Sequence, residues 1–184
     1  MGGEGAGVVI LESAEHAAQR GARVHGYIRG YGQMADGTHP SSPEPDGKYE
    51  AMTMAMAIKD AGLRGGAAEV DGVVAHGTAT TVGDTAEIRA INSLHQERDT
   101  TLRVASVKGH VGHTVSAAGA MNLMAALRSM EIDAFVPTAG TTEVDPEAEF
   151  EVVTRRPSEG PVNVVQVNGF GFGGQNASLI VTRA

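Results

Sequence analysis

The sequence predicts a layered α/β fold in which strands alternate with helices and an antiparallel hairpin closes the chain. Three observations predict it. Short apolar runs bounded by glycine recur between segments whose apolar residues follow helical spacing. Three loops, around His76, from Lys108 to His113, and around Phe170 and Phe172, follow such runs, where open α/β sheets commonly place reacting groups. The last two strand-like runs, Val162 to Val167 and Ala177 to Thr182, are joined by a glycine-rich turn from Asn168 to Asn176.

Taken in order, Gly5 to Glu12 is a continuous apolar run that reads as a strand buried on both faces. Ser13 caps a short helix from Ala14 to Arg20, which Gly21 ends, and Val24 to Tyr31 alternates like a second strand. Asp36-Gly37, Pro40, Pro43, Pro45 and Asp46-Gly47 make Met34 to Gly47 a long ordered loop. Tyr49 to Ala61 is apolar on most faces and predicts a buried helix closed by Gly62, with its methionines as core filler. Val70 to Ala75 is a strand that delivers His76-Gly77-Thr78-Ala79-Thr80, and Gly83-Asp84 opens a helix running to about His95, the aspartate suiting its N-terminal dipole. Arg103 to Val107 is the next strand. It leads to Lys108, His110 and His113 on a glycine-broken loop, and Val115 to Met130 then forms a buried helix. Phe135-Val136-Pro137, a turn-rich acidic segment and Phe150 to Thr154 precede the final hairpin. One domain over residues 1–184 is expected, without repeats or linkers.

Composition excludes several classes. A formal charge of −8, with no clustered Lys and Arg, leaves no footprint for nucleic acid. With no cysteine, the chain can supply neither disulfides nor thiolate zinc sites nor a cysteine nucleophile. No apolar run approaches a membrane span and the first residues lack a secretory pattern, so a cytoplasmic protein is expected.

His76 and His113 stand out because each lies near a strand end beside glycine. His16, His25, His39 and His95 are assigned no role. His110 and His113 with His76 would offer three nitrogens, but they lack the helical spacing and acidic third ligand that metal sites favour, and no metal is assigned. Two neutral imidazoles are better suited to donating hydrogen bonds to an oxygen that gains negative charge, with Lys108 as a nearby fixed cation. Gly169 to Gly174 fits the Gly-x-Gly-x-x-Gly pattern, but the ten residues after it cannot supply the helix and second strand of a dinucleotide site. A turn that lets backbone N–H groups approach a ligand is the expected meaning.

Together these residues resemble the C-terminal half of a β-ketoacyl synthase of the thiolase fold, from fatty-acid or polyketide synthesis. Gly3 to Gly7 resembles the family's Gly-Glu-Gly-Ala-Gly strand, and Asp36 to Gly47 its His- and Pro-containing loop. His76 to Thr80 resembles the first-histidine motif, Lys108 with His113 the lysine and second-histidine motif, and Asn168 to Asn176 the Asn-x-Phe-Gly-Phe-Gly-Gly-x-Asn turn. The resemblance implies half of a layered αβαβα fold, a mixed sheet with helices on both faces. It also implies decarboxylative Claisen condensation on thioesters carried by the 4'-phosphopantetheine of an acyl carrier protein, with no tightly bound cofactor. Carried over, His76 and His113 are the catalytic pair and Lys108 the supporting cation. Thr78 and Thr80 contact the pantetheine arm, and Phe172 with Phe170 gates the acyl pocket, the Phe172 N–H completing an oxyanion hole. Gly171, Gly173, Gly174 and Asn168 build the turn.

The sequence departs from the pattern in ways that matter. The family's cysteine lies in an N-terminal half not present here, so a Cys-bearing partner half and a dimer of the completed unit are expected. Asn122 stands where the family usually has a glutamate pairing with the lysine, so Lys108 is expected to lose an ion pair. Gln175 replaces the usual threonine. These two changes leave open an alternative, a non-catalytic subunit like the chain-length factors that shape the acyl pocket.

Overall fold

The computed structural model describes residues 1–96 and 99–184. Among them, five α-helices alternate with eight strands: α1 (Ala14–Gln19), β1 (Tyr27–Ala35), α2 (Lys48–Asp60), β2 (Gly72–Val74), α3 (Thr81–His95), β3 (Arg103–Ala105), α4 (Lys108–Val111), α5 (Ala118–Ile132), β4 (Ala134–Phe135), β5 (Glu151–Val152), β6 (Ser158–Glu159), β7 (Val164–Gly171) and β8 (Gln175–Thr182). Six strands form one mixed sheet in the order β1-β8-β7-β2-β3-β5, and β4 pairs with β6 apart from it. The β1–β8 and β8–β7 pairs are antiparallel, while β7–β2, β2–β3 and β3–β5 are parallel. No helix among the described residues is long and apolar enough to cross a membrane.

Alternation along the short central strands explains the layering, because successive side chains point to opposite faces. Val73 and Val104 pack with Met54, Ala57 and Ile58 of α2 and with Ala90 and Ile91 of α3. Their neighbours Val74 and Ala105 pack with Leu123, Ala126 and Met130 of α5. Helices therefore cover both faces, as expected. At the β1 edge the approach is closer still: a Cβ at Gly32 would lie 2.1 Å from the Thr53 carbonyl oxygen, so α2 rests directly on strand backbone.

The ends of elements follow local chemistry. Ser13 Oγ accepts the His16 N–H at 3.2 Å and caps α1. The β7–β8 hairpin pairs Gly171 with Gln175 around a three-residue loop, in which Gly173 and Gly174 take φ of 81° and 70°. Its strands run further than the sequence suggested, and Asn168, expected in the turn, lies buried within β7.

The expected strand at Gly5 to Glu12 does not form. The segment pairs with neither sheet edge and leaves Val8, Ile10 and Leu11 at 87%, 79% and 70% exposure. It runs instead along α5, where added Cβ atoms on Gly5 and Gly7 would meet Met121, Thr114, Ala120 and Met124. A strand needs backbone partners beside it, and Gly5 to Glu12 makes no backbone ladder with any described strand. The loop from Lys108 also differs: it begins with one turn of helix, α4, before Gly112.

Candidate active site

Strands β2 and β3 are parallel neighbours, and the residues that follow them form the site. Just beyond β2, the backbone N–H groups of His76 and Gly77 donate to the two oxygens of Glu87 on α3, at 2.9 and 2.8 Å. Asn168 Nδ2 gives the same carboxylate a third hydrogen bond at 3.0 Å. One helical turn earlier, Asp84 Oδ1 accepts the N–H groups of Thr78 and Ala79, both at 3.1 Å. Two acidic side chains on α3 thus hold the whole His76 loop by its backbone. The hydroxyls of Thr78 and Thr80 come within 3.0 Å of each other.

Beyond β3, Ser106 Oγ donates to the Gly77 carbonyl at 2.8 Å and Ser106 N–H donates to Thr138 Oγ1 at 3.0 Å. Lys108 is buried, and its Nζ donates to the His76 carbonyl oxygen. Its position is therefore tied to the loop that carries the first histidine. After α4, the Val115 N–H donates to His113 Nδ1 at 3.3 Å, which assigns the ring proton to Nε2. His110 turns away and donates from Nε2 to the Pro137 carbonyl at 2.9 Å.

The two loops bring His76 and His113 edge to face, with ring centroids 5.6 Å apart at 87°. Phe170 of β7 lies 5.9 Å from the His76 ring. Burial, then the charge of Lys108 and the neighbouring His113, push His76 down to about 3. His113 is also lowered, by burial first and then by Lys108. Both imidazoles are therefore neutral near pH 7, each with one ring N–H to donate. Burial lowers Lys108 as well, against the opposing charges of Glu87 and Asp84. Burial raises the Glu87 carboxyl, opposed by the Gly77, Asn168 and His76 donors that all point at it.

A cleft of about 690 Å³ opens beside this group, with walls that include Thr78, Thr80, Lys108, His113, Thr138 and Thr141. His76, Phe170 and Phe172 are not among its walls. Phe172 sits at the hairpin tip with 81% of its surface exposed. That tip is tied to the Asp36 to Gly47 loop through Gly173 N–H to the Pro40 carbonyl at 2.7 Å and Asp36 N–H to the Gly174 carbonyl at 3.0 Å.

Of the residues the sequence singled out, the structure brings together His76, His113, Lys108, Thr78, Thr80 and Phe170, and leaves Phe172 outward. Asn122 makes no hydrogen bond to Lys108. It is buried under β2 and β7, where its Nδ2 donates to the carbonyls of Ala75 and Asn168 at 3.2 and 3.1 Å. The carboxylates acting on Lys108 are Glu87 and Asp84, so the cation keeps acidic company whatever stands at position 122. Sequence reasoning missed Glu87, Ser106 and Thr138. For Glu87 a signal existed, an acidic residue on the inner face of the helix that follows the His76 loop.

A mixed sheet between helical layers, with a histidine pair and a lysine following adjacent parallel strands, is the arrangement of a thiolase-like fold. Residues 25–142 match the family described as "Beta-ketoacyl synthase, C-terminal domain". The chain belongs to the β-ketoacyl synthase family. It is 37% identical over 181 residues to the 3-oxoacyl-[acyl-carrier-protein] synthase 2 of Rhizobium meliloti (strain 1021), an alignment covering 98% of this chain and 42% of that protein. A solved structure described as "The ishigamide ketosynthase/chain length factor" superposes with a TM-score of 0.92 at 38% identity, covering 100% of this chain and 44% of that one. Another, of a type II PKS acyl-carrier protein in complex with its ketosynthase bound to the hexaketide, superposes with a TM-score of 0.88 at 27% identity, covering 94% and 42%. The chain thus spans less than half the length of the proteins it matches.

Proposed function

We propose that residues 1–184 form the C-terminal half of a β-ketoacyl synthase and supply the histidine pair for decarboxylative Claisen condensation of a malonyl thioester with an acyl thioester. The carrying observation is the pair itself: two neutral imidazoles, 5.6 Å apart, beside a buried lysine. When the bond between malonyl C2 and its carboxylate breaks, CO2 leaves and the electron pair passes into an enolate whose charge collects on the thioester oxygen. Neutral N–H donors aimed at that oxygen stabilise the charge as it develops. The enolate carbon then attacks the acyl carbonyl and a cysteine thiolate leaves. That cysteine lies outside these residues, since they contain none, and an N-terminal half supplies it.

Thr78 and Thr80, with their paired hydroxyls on the cleft wall, suit the amides and hydroxyl of a pantetheine arm. An acyl carrier protein is the proposed donor of both thioesters, a reading supported by the similar ketosynthase solved with its carrier protein. Phe170, against His76, and Phe172, at the hairpin tip, are proposed to border the acyl pocket, and dimerisation of the completed unit is proposed with them.

A second reading has its own support. The similar structure described as a ketosynthase and chain length factor names both kinds of chain, and Gln175 and Asn122 depart from the catalytic pattern. In that reading the chain shapes the acyl pocket and does no chemistry. The intact histidine pair favours catalysis. The test is condensation by this chain completed with a Cys-bearing N-terminal half, given an acyl thioester and malonyl-loaded carrier. A 3-oxoacyl product that needs both halves and is lost in His113→Ala supports the catalytic reading; a product indifferent to His113→Ala supports the other.

A further inference from the structure

The parallel ladder between β2 and β7 ends at the pair Val74 and Val167. One residue on, the chains part: Ala75 leads into the His76 loop, and Asn168 continues towards Phe170, whose ring lies 5.9 Å from His76. At such a fork the facing carbonyls lose their ladder partners and require donors from elsewhere. Asn122, 1% exposed on α5, fills the fork. Its Nδ2 donates to Ala75 O at 3.2 Å and to Asn168 O at 3.1 Å, so both amide hydrogens are used, one on each departing chain. The orientation of the amide is fixed, because the reverse would set Oδ1 against two carbonyl oxygens. Its Oδ1 has no hydrogen-bond partner among the described residues. A buried acceptor left empty is costly, and the arrangement holds because the two donors are what the fork requires.

We infer that Asn122 is a positioning residue of the candidate active site: its side-chain amide, bridging Ala75 O and Asn168 O where β2 and β7 diverge, sets the place of His76 relative to the Phe170 strand. Asn168 strengthens the link, since its own Nδ2 reaches Glu87, the carboxylate that accepts the His76 N–H. His76 is thus held from two sides, through Glu87 at its amide and through Asn122 at the carbonyl before it. The catalytic consequence of this role rests on the function proposed above; the positional one does not.

The test uses the chain completed by its N-terminal half and carrying ring-labelled histidine, with the His76 resonances assigned by their loss in His76→Ala. Asn122→Leu keeps the volume and removes both donors. It is expected to shift the His76 ring resonances and to lower kcat for CO2 release from malonyl carrier about tenfold, with KM within about twofold. Asn122→Ser, which keeps one donor, is expected to lie between. Unshifted His76 resonances in Asn122→Leu overturn the inference whatever the rate, because the residue then acts through stability alone. If Asn122→Leu does not fold, Asn122→Ser decides, and unshifted resonances there overturn it equally. A completed protein that releases no CO2 with Asn122 intact counts against the proposed function, and the resonances still decide this inference.

Discussion

Burial, assisted by Lys108, keeps His76 neutral down to about pH 3, and the same physics gives the fold a pH dependence of definite sign. Between its ordinary value of 6.5 and about 3, an unfolded chain takes up a proton at His76 that the folded chain refuses. Stability therefore falls as pH drops through that window. Glu50, 3% exposed on α2, does the reverse: burial and the charges of Glu87, Asp36 and Glu44 push it up to about 9. Its contribution is fully present below its ordinary 4.5 and is lost as pH rises through 9. Replacing it by a neutral isostere, Glu50→Gln, is expected to stabilise the fold at pH 7 by about 3 kcal/mol and to change little at pH 4. Urea midpoints at the two pH values check this, and an equal effect at both would contradict it. The histidines and lysine of the site were legible in the sequence because loop chemistry leaves a local signature. Glu50 was not, and for Glu87 and Asn122 the sequence offered a position but not the contact, because these roles lie in buried contacts between residues far apart in the chain.

At the scale of elements, close approach of backbone replaces side-chain packing at the sheet edge. Because a Cβ on Gly32 would meet the Thr53 carbonyl at 2.1 Å, Gly32→Ala must push α2 away from β1. A loss of about 3 kcal/mol is expected, seen as a lower melting temperature, whereas Gly37→Ala, where nothing lies within 4 Å but φ is +61°, should cost less. Equal losses would show that contact distance is not what governs β1. The alternation of strands and helices was readable from periodicity and from glycine and proline punctuation. Gly5 to Glu12 was misread for a physical reason: a strand buried in a sheet and an apolar strip awaiting a cover share the same run of Val, Ile and Leu. Likewise Asn168 read as part of a turn, since only the partner strand shows that the ladder continues to Gly171.

For the whole molecule, the exposed strip of Val8, Ile10 and Leu11, which follows the Gly7 that packs against Ala120 and Met124 of α5, is an apolar surface in need of a partner. The proposed N-terminal half is that partner. Ile10→Asp is expected to weaken association of the two halves at least about tenfold, measured by titration calorimetry, and unchanged affinity would place the interface elsewhere. In the proposed function the same half brings the cysteine that completes a condensing site around the histidine pair. The rate of CO2 release from malonyl-loaded carrier by the completed protein tests this most directly. With His76 or His113 replaced by alanine, release is expected to fall about a hundredfold or more. Release within about threefold of the unsubstituted protein would contradict the central claim that these two rings stabilise the enolate.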